Sequence, residues 1–129
     1  GSARRVKEEA DAVGRDVTVV GVDAANSNIS TAFYGKDPVP YDTTVEGLGK
    51  GGELPTMWFD YLDEMRNVSD ERAYEQARTA AQQHGLLIGP SAGAALAVAK
   101  DIHDDQPDAR VVTIICDGGE QYFDTLFDV

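Results

Sequence analysis

The chain alternates between short, almost unbroken apolar runs and longer stretches of helical spacing. Residues 17–22, VTVVGV, are β-branched and nearly all apolar. A strand covered on both faces, as in a parallel sheet, has this pattern. LLIG at 86–89 and VVTII at 111–115 read the same way. Residues 3–13, ARRVKEEADAV, predict a helix ending at Gly14. Ser69 can cap a second helix, with Asp70 and Glu71 in its first turn near the positive end of the helix dipole. Ala73, Ala77, Ala80 and Ala81 give that helix an apolar face through Gln83, and Gly85 suits a left-handed C-cap. Residues 92–102 predict a third helix, small and apolar nearly all round through Ala99, and therefore buried.

Between these elements lie less regular stretches. Residues 24–44 are polar and contain Pro38 and Pro40. Residues 45–55, VEGLGKGGELP, hold Gly47, Gly49, Gly51 and Gly52 and must form a loop. Residues 57–68 fit either a helix turn or a strand, and Trp58 and Phe59 are expected in the core. After Cys116, DGGEQYFDTLF turns into a short helix. The order helix–strand–loop–helix–strand–helix–strand predicts an α/β fold, a parallel sheet with helices on both faces.

Composition narrows the functional classes. The 129 residues are 42% hydrophobic, enough for a core, and carry 11 Lys and Arg against 23 Asp and Glu, a formal charge of -12. So acidic a surface argues against nucleic acid as a partner. No apolar run approaches a membrane span and no secretory pattern opens the sequence. Cys116 is the only cysteine. That excludes an intrachain disulfide, points to a reducing, cytoplasmic setting, and predicts a buried, inert thiol at the end of an apolar run. His84 and His103 have no companion cluster, so no metal site is expected.

One motif invites a catalytic reading. Gly89-Pro90-Ser91-Ala92-Gly93 is a literal G-x-S-x-G between a predicted strand and helix, the setting of a hydrolase nucleophile elbow. A serine nucleophile needs a histidine within hydrogen-bond reach. His103 lies twelve residues along the same helix, about 18 Å away at the helical rise. His84 precedes the short run 86–89, which points it to the other end of that run. Neither serves, and Ser91 is expected to cap the buried helix instead.

Taken together, three segments carry a resemblance. VEGLGKGGELP, then VSDERAYEQARTAAQQHGLLIGPSAGAALAVAK, then ARVVTIICDGGEQYFDTLF resemble the C-terminal half of cysteine synthase (O-acetylserine sulfhydrylase) and its relative cystathionine β-synthase. VTVVGVDAANS fits the strand and loop before them. The resemblance covers nearly the whole chain, in order. It implies a fold type II pyridoxal phosphate enzyme, usually a homodimer, that performs β-replacement on serine-like amino acids through an aminoacrylate, with the cofactor as electron sink.

The resemblance also implies what lies elsewhere. The cofactor-bearing lysine, the substrate carboxylate loop and the glycine-rich phosphate cup belong to the family's preceding half, so residues 1–129 correspond to a C-terminal portion of the large domain. None of Lys7, Lys36, Lys50 and Lys100 stands in the expected serine/asparagine-x-lysine context. Gly47-Leu48-Gly49 resembles the loop that borders the substrate; Lys50 beside it either reshapes substrate choice or is solvated. Asp117-Gly118-Gly119 resembles the loop that usually brings a hydroxyl to the pyridine nitrogen, and here no hydroxyl occupies 117 or 118. Either Asp117 takes that role, or water does, or the loop only shapes the pocket. A different class stays open beside the enzyme: a non-catalytic domain or split-subunit partner completing a site on another polypeptide.

Overall fold

The computed structural model describes residues 2–51, 55 and 57–127. Helix α1 (Ser2–Ala12) leads to strand β1 (Val20–Ala24) and a short helix α2 (Ile29–Phe33). A single 3₁₀ turn (Phe59–Tyr61) precedes strand β2 (Glu64–Val68). Two long helices, α3 (Asp70–His84) and α4 (Pro90–Asp105), follow, and a 3₁₀ turn (Glu120–Tyr122) enters the short helix α5 (Phe123–Leu126). Strands β1 and β2 are parallel, with Val20 opposite Glu64 and Ala24 opposite Val68.

The two faces of this sheet are covered by different helices. Ala24 and Val68 share a buried cluster with Ala94, Ala97 and Val98 of α4, and Val20 and Val22 pack against it. Successive strand residues point to opposite faces. Asp23 therefore faces the other way, where its carboxylate accepts the Ser30 backbone N–H of α2 at 2.8 Å. Tyr34, just after α2, closes the edge of β2: its hydroxyl donates to the Met65 carbonyl at 2.8 Å and accepts the Met65 N–H at 3.0 Å. An open strand edge is thereby satisfied by a side chain. The α/β reading and the parallel sheet agree with the structure.

Helices α3 and α4 pack most intimately, through small residues. A Cβ on Gly93 would sit 2.2 Å from the Ala73 carbonyl oxygen, so the second glycine of the G-x-S-x-G motif serves the helix crossing. The Arg72 guanidinium grips both Asp101 carboxylate oxygens, at 2.6 and 2.8 Å, and ties the two helices together. Ser69 accepts the Arg72 N–H, and Gly85 adopts φ +66, as the pattern at both ends of α3 predicts.

Several expectations need correction. The first strand begins at Val20 rather than residue 17, because side chains take the earlier backbone groups. Lys7 donates to the Val17 carbonyl and Asp63 accepts the Val19 N–H, each at 2.6 Å. The 24–44 stretch contains α2. Residues 57–68 split into the 3₁₀ turn and β2. Neither 86–89 nor 111–115 joins a ladder: Ile88 makes one isolated antiparallel bridge to Gly118. Val112 and Ile114 are 82% and 62% exposed. Apolar runs become strands only where a neighbour satisfies their backbone groups, and among the described residues none stands beside 111–115. Cys116 is exposed for the same reason, not buried. Trp58 is half exposed, with the Arg4 guanidinium 4.9 Å from its ring centroid. Residues 52–54 of the glycine-rich loop lie outside the described residues.

Candidate functional site

The Gly47-Leu48-Gly49 loop is held in one conformation by groups from three elements. Gly47 and Gly49 have φ of +77 and +76, in the left-handed region that favours glycine. Gly49 is also tightly seated, since a Cβ there would lie 3.0 Å from the Cβ atoms of Ala24 and Ser27. At Gly47 the same position meets nothing within 4 Å among the described residues. Leu48 turns inward and joins the buried cluster under α4.

Both ends of the loop are pinned. Downstream, the Ser27 hydroxyl accepts the Lys50 N–H at 2.8 Å and donates to the Lys50 carbonyl at 3.0 Å. Asn28 donates to the Gly51 carbonyl at 2.9 Å and exchanges two 2.8 Å bonds with the backbone of Val39. Upstream, Asp70 at the start of α3 accepts from the Thr43 hydroxyl at 2.6 Å, the Thr44 N–H at 2.5 Å and the Thr44 hydroxyl at 2.9 Å. Burial opposes the charge on Asp70, yet the bonds from Thr43 and Thr44 outweigh it and hold its pKa below the ordinary carboxylate value. Tyr74 adds a bond from its hydroxyl to the Thr44 carbonyl at 3.0 Å.

This loop forms one wall of a cavity of about 320 Å³. Ile29, Met57, Trp58, Leu62 and Met65 contribute to the other walls. Its lining is mostly apolar, and Gly47 and Gly49 flank Leu48 on the loop side without side chains of their own.

The second predicted site loop, Asp117-Gly118-Gly119, docks on the start of α4. The Gly89 N–H donates to the Asp117 carbonyl, and the Gly119 N–H to the Leu87 carbonyl, both at 3.2 Å. The Tyr122 hydroxyl donates to Asp117 Oδ2 at 2.8 Å. That bond to a carboxylate, with burial and the further negative charge of Asp117 and Glu46, pushes the Tyr122 phenol up to about 12. The 320 Å³ cavity is not lined by Asp117 or Gly118. The other Asp117 oxygen, Oδ1, is buried without a hydrogen-bond partner.

Ser91 takes no part in a nucleophilic arrangement, and it is not the helix cap either. Gly89 is the N-cap of α4 and Pro90 follows at the first helical position. Pro90 has no N–H to satisfy and a φ already suited to a helix, so the helix starts two residues earlier than a Ser91 cap requires.

A protein-family comparison matches residues 1–117 to the family described as pyridoxal-phosphate dependent enzymes. The chain belongs to this family. Its relatives include a putative cysteine synthase of Sinorhizobium fredii, 35% identical across 99% of this chain and 36% of the relative. A probable cysteine synthase of Bacillus subtilis is 36% identical across 85% of the chain and 34% of the relative. The chain thus spans about a third of the length of these relatives.

Solved structures agree on the fold. A cysteine synthase of Entamoeba histolytica superimposes with a TM-score of 0.83 at 22% identity, over 98% of this chain and 36% of that one. An O-acetylserine dependent cystathionine beta-synthase of Helicobacter pylori gives 0.72 at 29% identity, over 93% and 36%. The fold is that of fold type II pyridoxal phosphate enzymes.

Pyridoxal phosphate is the family's cofactor, and the two loops offer different chemistry. The open, glycine-walled cavity at Gly47–Gly49 suits a flat ring carrying an amino-acid adduct. The Asp117 carboxylate does not present a free oxygen to a ring nitrogen, because Oδ2 is taken by Tyr122 and Oδ1 is sealed inside the protein. The residues that clamp the glycine loop, Ser27, Asn28 and Asp70, carry no motif of their own. Of these, only Asp70 had a sequence signal, and that signal was for a helix start.

Proposed function

We propose that the protein containing this chain is a cysteine synthase-like β-replacement enzyme. It exchanges the β-substituent of O-acetylserine, O-phosphoserine or serine for a sulfur or other nucleophile. The names of its relatives support the reaction class. The observation that carries the reading is the Gly47-Leu48-Gly49 loop, locked left-handed and pinned at both ends beside an open cavity. When bound, pyridoxal phosphate supplies an electron sink for the substrate's α-carbon.

In this reading the loop backbone borders the substrate and keeps side chains out of its path. Asp117 and Gly118 form the loop beside the cofactor ring. The lysine that carries the cofactor comes from outside residues 1–129, and the complete protein is a homodimer acting on a small amino acid. Lys7 is engaged by Asp63 at 2.6 Å, and Lys36 lies 5.9 Å from the Tyr34 ring centroid.

The complete protein tests this reading. It should bind pyridoxal phosphate with visible absorbance, consume O-acetylserine in the presence of sulfide, and yield cysteine. Borohydride reduction followed by peptide mapping should place the cofactor on a lysine other than Lys7, Lys36, Lys50 and Lys100. Label on one of these four, or no retained cofactor, would overturn the assignment. A protein that binds cofactor only with a second polypeptide would support the split-subunit role instead.

A further inference from the structure

The upstream anchor of the glycine loop continues into the loop itself. Asp70, the first residue of α3, accepts the Thr43 hydroxyl at 2.6 Å. The oxygen of that hydroxyl accepts the Val45 N–H at 3.2 Å. The Val45 carbonyl in turn accepts the Leu48 N–H at 3.3 Å, closing a four-residue turn over Glu46 and Gly47. Gly47, third in that turn, has φ +77, while Glu46 before it has no positive φ. That combination is the type II turn. Types I and II differ by reversal of the peptide between the two central residues, here Glu46–Gly47. Val45 and Leu48, at the two ends of the turn, are buried in one cluster, whereas Gly47 lines the 320 Å³ cavity.

We infer that Asp70 is a positioning residue for the substrate: through the Thr43 hydroxyl it holds the 45–48 turn in its type II form and so fixes the Glu46–Gly47 peptide beside the cavity. This rests on the substrate loop proposed above. Position 43 must donate to a carboxylate and accept from an N–H at once, and a hydroxyl does both. Position 70 meets donors only, the Thr43 and Thr44 hydroxyls and the Thr44 N–H, and a carboxylate accepts them all. A loop already in its binding form costs the substrate less ordering, so the relay acts on binding and not on the chemical step.

The test uses the complete protein. Thr43→Val removes the hydroxyl and keeps the branched shape. It should raise the KM for O-acetylserine roughly five- to tenfold, the worth of one hydrogen bond, with kcat changed less than about twofold. In cofactor-free protein the same variant should speed amide hydrogen exchange at Val45 and Leu48 by a similar factor. Exchange at Lys50 should not change, because Ser27 holds that amide independently. Thr43→Ser keeps the hydroxyl and should match wild type in both readings. Asp70→Asn places an amide donor where a second acceptor is needed and should exceed Thr43→Val in both.

A wild-type KM in Thr43→Val would overturn the inference, and so would unchanged exchange at Val45 and Leu48. A kcat that falls as far as KM rises, or a Thr43→Ser variant as impaired as Thr43→Val, would overturn it too, since either marks general damage. A wild-type protein that neither binds cofactor nor turns over O-acetylserine would instead defeat the proposed function. The relay would then stand or fall on exchange at Val45 and Leu48 and its recovery in Thr43→Ser.

Discussion

At the scale of single residues, the glycines do distinct jobs that a motif cannot separate. Gly49 combines φ +76 with two Cβ neighbours at 3.0 Å, whereas Gly51 has no positive φ and, among the described residues, nothing within 4 Å of its Cβ position. Gly49→Ala should cost about 1–3 kcal/mol of stability, from left-handed strain and crowding, and Gly51→Ala almost nothing. Denaturant unfolding checks this, and the first variant should also raise the KM for the amino-acid substrate. The glycine loop was readable because glycine density announces special backbone geometry. Its clamps were not, because Ser27 bonds residue 50 and Asp70 bonds residues 43 and 44. Nothing local in the sequence marks a serine or an aspartate as the partner of a distant loop.

Among the elements, α3 and α4 were the most readable, since caps and periodicity are local. Their contact was not, and it turns on Gly93. Gly93→Ala forces a Cβ into the Ala73 carbonyl and should destabilise by about 3 kcal/mol through overpacking. The Arg72–Asp101 pair across the same interface adds a pH dependence. Arg72 holds the Asp101 carboxyl below its ordinary pKa of 3.8, and Lys7 and the Val19 N–H do the same for Asp63. A lowered carboxylate pKa means that the unfolded chain binds protons first as pH falls. The stabilisation is therefore complete above the unfolded value and is lost as pH drops through the folded one. Melting temperature should hold nearly level from about pH 7 to pH 5 and fall below about pH 4. The double variant Asp63→Asn, Asp101→Asn should show a shallower fall. Both pairs are solvent-exposed, so salt should weaken the effect.

For the whole molecule, the informative region is 111–115. Val111, Val112, Ile114 and Ile115 are all exposed, and together they make an apolar, unpaired stretch. Such a stretch is a template for association. Residues 1–129 produced by themselves should self-associate on size exclusion with light scattering. Val112→Lys with Ile114→Lys should return them toward a monomer. If the unmodified chain stays monomeric at high concentration, the stretch is covered in solution by the chain itself. The sequence marked this run as buried strand from its apolar content alone. The structure shows that content is not enough, because a strand also needs a partner for its backbone.

The sequence alone determined the class, α/β with helices between parallel strands, because periodicity and capping are short-range signals. It also placed a left-handed cap at Gly85, because only glycine tolerates that conformation freely. Tertiary structure decided the rest. It showed that Gly93 belongs to a helix crossing, that Gly47–Gly49 is clamped from β1's end and α3's start, and that Asp117 reaches Gly89 rather than open space. Each depends on atoms brought together from distant positions, and the energy of such contacts appears only once the chain has folded.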